Sequence, residues 1–160
     1  MSDSPTLSPL LARARLVPLT LELLEHLLTI ENVAYTHPWT HGNFADALRS
    51  GYQCTLLLAE SGEILGYFVA MQVLDEVHLL NITVSPAHQR QGLARYLLQA
   101  LDDWARSVQA TCLWLEVRES NTRARAIYER HGYQQVGARK KYYPVHQGER
   151  ETAIIMSLTL

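Results

Sequence analysis

Residues 82–95 read ITVSPAHQRQGLAR, and this stretch is the most informative about the fold because the hydrophobic period changes within it. The apolar run that ends at Val84 is typical of a β-strand, and Ser85-Pro86 stops it. From Gly92 onward, apolar residues recur at steps of three and four, as on one face of a helix. The stretch therefore predicts a strand, a loop and a long helix over residues 92–108.

The start of this helix has the properties of an anion-binding site. The first backbone N–H groups of a helix have no intrahelical partner, and the helix dipole adds partial positive charge there, so a pyrophosphate would fit. Gly92 lets a ligand approach the backbone, and Arg90 and Arg95 add charge. The alternative is an ordinary strand-to-helix turn in which Gly92 serves only its own backbone conformation.

The rest of the chain alternates between strand and helix patterns. Strands are predicted over residues 12–17, 53–60, 63–73, 77–84, 111–118, 134–143 and 151–160, and further helices over 21–32, 41–50 and 121–131. Residues 1–11 are predicted to form a disordered tail, and residues 12–160 a domain. The element order predicts a single α/β (α+β) domain with a mixed, largely antiparallel sheet flanked by helices.

Composition narrows the function class. The chain has 160 residues, 48% of them apolar and 19% charged, which is typical of one soluble globular domain. The net charge of −2 argues against a broad nucleic-acid-binding surface. Without a signal-peptide pattern or a long apolar run, a cytoplasmic location without membrane association is expected. Cys54 and Cys112 lie in apolar runs and are expected to be small buried thiols.

Several motifs in combination resemble the GNAT acetyltransferase superfamily. They are QRQGLA at 89–94 after the strand ending in Val84, LWLEVR at 113–118, Ser120-Asn121, AIYE at 126–129 and Gly132-Tyr133. The segments VLDE at 73–76, KYYP at 141–144 and AIIM at 153–156 are most similar to its RimI-like branch. That branch acetylates the N-terminal alanine of a small-subunit ribosomal protein. The resemblance runs from about residue 12 to the C terminus.

The resemblance implies acetyl-CoA as co-substrate and a ribosomal protein N terminus as partner, without stable nucleic-acid or membrane binding. It assigns cofactor contacts to Ile82, Thr83, Val84, Gln89, Arg90, Gln91, Gly92, Leu93, Ala94, Arg95 and Asn121. A backbone amide near residues 82–84 is expected to face the thioester carbonyl. Ala94 stands where many relatives have glycine. The seven histidines show no metal-ligand spacing, so no metal is expected.

Glu116 is the candidate general base. It lies in the middle of a predicted strand, with Trp114 and Arg118 on its own face. In a cleft, partial desolvation would make this carboxylate a better base for the acceptor amine, directly or through water. On a solvated face, it would instead form an ion pair with Arg118 or across the sheet, worth little.

Tyr128 is the candidate general acid for the departing thiolate. It lies two turns into a helix that Asn121 can cap, and its side chain tilts back toward the start of that helix. A phenol with a reference pKa of about 10 is protonated at neutral pH and can donate a proton. The alternative is a core aromatic residue. The resemblance implies the acid role.

The acceptor side is expected to involve aromatic walls for a small N-terminal residue and acidic groups for a cationic peptide. The candidates are Tyr35, Trp39, Asp75, Glu76, Tyr142 and Tyr143. Two other functions stay open at this point. One is acetylation of a lysine side chain or a small-molecule amine, and the other is a non-catalytic acyl-CoA sensor that uses the same pocket.

Overall fold

The observed strands and helices lie close to their predicted positions. The computed structural model describes residues 8–145 and 148–160. Its strands are β1 Arg15–Pro18, β2 Gln53–Leu58, β3 Ile64–Val73, β4 Glu76–Val84, β5 Cys112–Arg118, β6 Gln134–Pro144 and β7 Arg150–Thr159. Its helices are α1 Pro9–Ala12, α2 Leu21–Ala34, α3 His41–Arg49, α4 Leu93–Ser107 and α5 Thr122–His131, with a short 3-10 turn at Pro86–His88.

The strands form one sheet in the order β1-β2-β3-β4-β5-β7-β6. Strands β4 and β5 run parallel, with partners from Glu76↔Cys112 to Leu79↔Leu115. A parallel pair needs a crossover connection, which α4 supplies. Strands β5 and β6 each pair antiparallel with β7, and β1 pairs antiparallel with β2. The predicted mixed, largely antiparallel sheet is confirmed.

Helix α4 follows the predicted apolar pattern. Leu97, Leu98, Leu101 and Ala105 are all fully buried. Burying one leucine side chain contributes about 1.5–3 kcal/mol, so this stripe is a large stabilising feature of the helix. Asp102 lies on the same helix and is only 4% exposed, which the pattern did not predict.

The described chain contains two compact units. One comprises the described part of residues 1–68 together with Ile82–Leu97, and the other comprises Val69–Asn81 together with Leu98–Leu160. Strand β4 and helix α4 each contribute residues to both units. The loop between β4 and α4 belongs to the first unit, whereas Glu116 and Tyr128 belong to the second.

Part of the predicted tail is helical. Ser8 caps a helical turn at Pro9–Ala12, where its hydroxyl accepts a hydrogen bond from the Leu10 amide. Leu11 is 7% exposed, so this turn is anchored by apolar burial, which differs from the predicted loose tail. A four-residue turn is too short to show a hydrophobic period. Residues 1–7 of the predicted tail lie outside the described residues.

Candidate active site

The end of β4 is held close to β3. A Cβ added to Gly66 on β3 would lie 2.6 Å from the Thr83 carbonyl oxygen, so only glycine allows this approach. The Ser85 amide donates to the Leu65 carbonyl at 2.9 Å. Thr83 and Ser85 are 4% and 6% exposed. The end of β4, where the following loop begins, is therefore held in a fixed position against β3.

The loop turns into α4 through two residues with left-handed backbone conformations, Arg90 with φ +63° and Gly92 with φ +78°. The Gly92 carbonyl accepts the first helical hydrogen bond, from Tyr96, at 3.1 Å. A Cβ on Gly92 would meet nothing within 4 Å, so glycine serves the backbone conformation and leaves open space before the first turn. Leu93, 1% exposed, anchors the helix start. The first amides of α4 therefore have the geometry of an anion site.

Two exposed cations flank this helix start. Neither Arg90 nor Arg95 forms an ion pair with a side chain in the described part of the chain. His88 binds Glu63 through Nε2 and Oε1 at 2.7 Å, and this pair braces the loop. The Ser8 hydroxyl donates to Gln91 Oε1 at 3.2 Å. The start of α4 and the exposed guanidinium groups of Arg90 and Arg95 can together hold a diphosphate.

Tyr35 lies at the C-terminal end of α2 and is tied to β4. Its hydroxyl donates to the Ile82 carbonyl at 2.9 Å and lies 2.7 Å from the Thr83 hydroxyl. Burial raises the pKa of Tyr35 to about 12. The structure thus places this predicted acceptor residue against the strand that is predicted to contact the cofactor.

Trp39, another predicted acceptor residue, packs on Phe44 with ring centroids 5.1 Å apart. It also lines a surface cavity of about 370 Å³ with Asn43, Asp46 and Tyr52.

Glu116 lies on β5 one residue beyond the parallel pairing with β4, which ends at Leu115. Its other neighbour is Ile155 of β7. The Glu116 side chain is only 9% exposed, and its Oε1 lies 3.3 Å from Arg139 Nε. The cross-strand ion pair that the sequence left open is therefore present, with a carboxylate that is almost fully buried.

The face of the sheet around Glu116 combines charged and aromatic groups, and we call it the Glu116 face. It carries His78, Trp114, Glu116, Arg118, Arg139 and Tyr143. His78 stacks on Trp114 with ring centroids 3.5 Å apart. Burial, and next the charge of Arg139, lower the pKa of His78 to about 4. Burial, and next the charge of Glu116, raise the pKa of Tyr143 to about 12. Both groups are therefore uncharged at neutral pH.

Tyr128 lies on α5, whose two ends are well defined. At the start, the Asn121 side chain accepts from the Ala124 amide at 3.2 Å, so the predicted cap is confirmed. At the end, a Cβ on Gly132 would lie 3.0 Å from the Leu158 side chain. Leu158 pairs with Leu113, on the face opposite Glu116. The helix that carries Tyr128 therefore packs on the other side of β5 from Glu116.

The predicted acidic acceptor residues lie away from Glu116. The Asp75 carbonyl accepts from the Thr111 amide at 2.7 Å, which ties Asp75 to the turn before β5. Glu76 is opposite Cys112, four residues from Glu116 and so roughly 13 Å along the strand. Tyr142 lies closer to Glu116, because its ring centroid is 5.3 Å from the guanidinium of Arg139, which binds Glu116.

Sequence reasoning missed His78 and Arg139. Each lies in a segment whose pattern predicts only a strand. Arg139 reaches Glu116 because β6 and β7 pair with Arg139 opposite Ala153, and the register shifts directly after it. No local signal in the sequence predicts that register.

Other expected features can be located as well. Cys54 and Cys112 are free thiols, buried and partly buried respectively, and burial raises the pKa of each. Among the described residues, no group of three His, Cys, Asp or Glu side chains could hold a metal ion. Within residues 8–145 and 148–160, no helix combines the length and hydropathy of a membrane span.

Comparison with known proteins agrees with this architecture. The model of the acetyltransferase (GNAT) family matches residues 24–133. The [ribosomal protein bS18]-alanine N-acetyltransferase of Haemophilus ducreyi is 40% identical over 134 residues, which cover 84% of this chain and 92% of that protein. The protein of the same name from Escherichia coli (strain K12) is 41% identical over 131 residues, covering 82% and 87%.

Solved structures give the same result. The crystal structure of the ribosomal-protein-S18-alanine N-acetyltransferase from Escherichia coli matches with a TM-score of 0.84 and 38% identity, over 91% of this chain and 93% of that one. GNAT acetyltransferases use acetyl-CoA as co-substrate. From the family match and the identity to these relatives, the chain belongs to the acetyltransferase (GNAT) family.

Proposed function

We propose that this chain transfers the acetyl group of acetyl-CoA to the α-amino group of an N-terminal alanine of a small-subunit ribosomal protein, in the cytoplasm. The observation that carries the acceptor assignment is the identity of about 40% to proteins named for this activity, over most of both chains. An α-amine has a reference pKa of about 7.7–8.0, so part of it is already neutral near pH 7.

The diphosphate of acetyl-CoA would lie at the start of α4. The exposed guanidinium groups of Arg90 and Arg95 and the open space before Gly92 support this placement. The wider set of proposed cofactor contacts comprises Ile82–Val84, residues 89–95 and Asn121.

Transfer would then proceed directly in a ternary complex. The neutral amine nitrogen attacks the thioester carbonyl carbon, and the C–S bond breaks. The two side chains would act from opposite faces of β5, next to Leu115, where its parallel pairing with β4 ends. Glu116 takes the proton that the amine nitrogen loses, and Tyr128 gives a proton to the departing thiolate. The products are an acetylated N terminus and CoA as its thiol, and solvent exchange restores both side chains.

On the acceptor side, Tyr142 is the best supported residue of the predicted set, because it contacts the cation that binds Glu116. Its side chain is 42% exposed, so a peptide can reach it. Asp75 and Glu76 have no comparable support, since they lie at the far end of β5.

One assay tests this function. Purified protein is incubated with acetyl-CoA and an alanine-initiated peptide, the same peptide with a blocked N terminus and an internal lysine, or spermidine. Mass spectrometry should detect acetylation of the free N terminus only. Equal rates on the blocked peptide or on spermidine would point to a lysine or small-molecule acceptor. Calorimetric binding of CoA without turnover of any amine would point to a sensor.

A further inference from the structure

The Arg139 guanidinium comes to Glu116 from a distant position in the sheet. Arg139 is opposite Ala153, and Glu116 is opposite Ile155 of the same strand, so β7 separates the two residues. Their strands are about 10 Å apart, yet Nε and Oε1 lie 3.3 Å from each other. Ala153 is small and fully covered, which lets the arginine side chain lie across β7.

The segment after Arg139 holds the guanidinium on its other side. The register between β6 and β7 shifts between Arg139 and Tyr143, and Lys141 has φ +54°. This irregularity places the Tyr142 ring 5.3 Å from the Arg139 guanidinium and the Tyr143 ring 4.6 Å from that of Arg118. Arg139 is therefore held between a carboxylate and an aromatic ring.

The pair is asymmetric, because the carboxylate is 9% exposed and the guanidinium is 49% exposed. An acceptor arrives mostly as an ammonium ion, with a reference pKa of about 7.7–8.0. A carboxylate without a partner would bind that ammonium ion and raise the pKa of the amine, which would hold the acceptor in an unreactive form. A cation that is already bound to the carboxylate weakens its attraction for the acceptor ammonium ion.

We propose that Arg139 is a positioning residue for acetyl transfer. Its guanidinium orients the Glu116 carboxylate and offsets the carboxylate charge, so that the acceptor does not bind to Glu116 as an ammonium ion. This inference rests on the proposed function, because it takes Glu116 as the base.

The charge states of the surrounding groups allow the effect of Arg139 on the acceptor amine to be measured separately from the titration of its neighbours. The groups that face Arg139 and Glu116 are His78 on β4, Arg118 on β5, Tyr142 and Tyr143 on β6, and Glu151 on β7, which lies 3.6 Å from Arg118. His78, with a pKa of about 4, and Tyr143, with one of about 12, keep their charge state between roughly pH 6 and pH 10. A shift of the rate profile in that range therefore reports on the acceptor amine and not on these two groups.

The test compares wild type with three variants. Arg139→Gln removes the charge but keeps a hydrogen-bond donor, Arg139→Lys keeps the charge, and Lys140→Gln removes a charge from the neighbouring exposed residue. For each protein, kcat and KM for an alanine-initiated peptide are measured from about pH 6 to pH 10.

For Arg139→Gln, the acidic limb of kcat should move up by about one pH unit, and kcat should return to the wild-type value at high pH. At pH 7 both kcat and KM should fall, because the ammonium form binds but does not react. Arg139→Lys should restore most of the wild-type profile, and Lys140→Gln should match wild type.

Two results would overturn the proposal: an unmoved limb in Arg139→Gln, or the same loss of kcat at every pH in both Arg139 variants. The second result would indicate a merely structural residue. If wild type does not acetylate the alanine peptide but does acetylate another amine, the acceptor assignment fails and the same comparison on that amine decides the role of Arg139. A wild type that acetylates no amine contradicts both proposals.

Discussion

Among the described residues of the second unit, two carboxylates that are almost fully buried pair with basic side chains, and the pairs differ in which member reaches solvent. Asp102 Oδ2 lies 2.6 Å from His131 Nε2, and the side chains are 6% and 10% exposed. Glu116 is buried to a similar degree, but its partner Arg139 is half exposed. The first pair is closed and joins α4 to α5. The second is open on one side, which suits the proposed role of Glu116 as a proton acceptor for a substrate.

In the closed pair, the Asp102 carboxylate has few hydrogen-bond partners for a buried group. Burial raises the pKa of Asp102, more than the hydrogen bond from His131 lowers it. No described residue hydrogen-bonds to Asp102 Oδ1 or to the nearby Tyr133 hydroxyl. Burial, and next the charge of Asp102, raise the pKa of Tyr133. Among the described residues, His131 is the hydrogen-bond partner of the Asp102 side chain, so the two pairs should respond differently to substitution.

The largest effect is expected at the open pair. Glu116→Gln should reduce kcat/KM for an alanine-initiated peptide by about 100- to 1,000-fold, because the proposed base is lost, with little change in stability. Steady-state kinetics and urea unfolding measure the two quantities. Glu119→Gln, on an exposed neighbour, is the control and should keep the wild-type rate. A rate for Glu116→Gln within twofold of wild type would remove the base role.

At the closed pair, the effect should be on stability instead. His131→Phe should lower the free energy of unfolding by about 2–3 kcal/mol, because Asp102 stays buried without a donor. Adding Asp102→Leu should recover part of the loss, since it removes the unpaired carboxylate. Urea unfolding at pH 7 tests both variants. A loss below about 1 kcal/mol for His131→Phe would show that the pair contributes little.

A third comparison uses the two tyrosines whose ring centroids lie 5.9 Å apart, Tyr128 and Tyr133. Tyr128→Phe should lower kcat by about 10- to 100-fold with the affinity for acetyl-CoA retained, because the proposed proton donor for the thiolate is lost. Tyr133→Phe removes a buried hydroxyl and should leave activity unchanged. Kinetics and calorimetry separate the outcomes, and full activity of Tyr128→Phe would contradict the acid role.

The smallest effect concerns His78 on the Glu116 face. Its pKa is about 4 in the folded state, against about 6.5 unfolded, so the unfolded state takes up a proton first as the pH falls. Stability from this residue is complete above about pH 6.5 and is lost toward pH 4, with a change on the order of 1–2 kcal/mol by pH 5. His78→Gln should flatten the pH dependence of urea unfolding, whereas His26→Gln, on an exposed site, should not. Equal slopes in all three proteins would contradict the assignment.

Much of the fold could be predicted because its signals are local. The switch of period between Val84 and Gly92 places β4 and α4, and Asn121 marks the start of α5 as predicted. The alternation in β5 predicts that Glu116 shares a face with Trp114. Each of these features depends on residues within one or two turns of each other, so it could be predicted without knowing the fold.

Contacts between distant segments could not be predicted, because they depend on how the strands and helices pack together. Arg139 meets Glu116 through the pairing of β6 with β7 and a register shift that no local pattern specifies. Asp102 is buried on α4 because His131 arrives from another helix. Tyr35, which is predicted on the acceptor side, hydrogen-bonds to the end of β4, and its spacing in the sequence does not predict this contact. A buried polar group needs a hydrogen-bonding or charged partner, and here that partner comes from elsewhere in the chain, at a distance that sequence spacing does not specify.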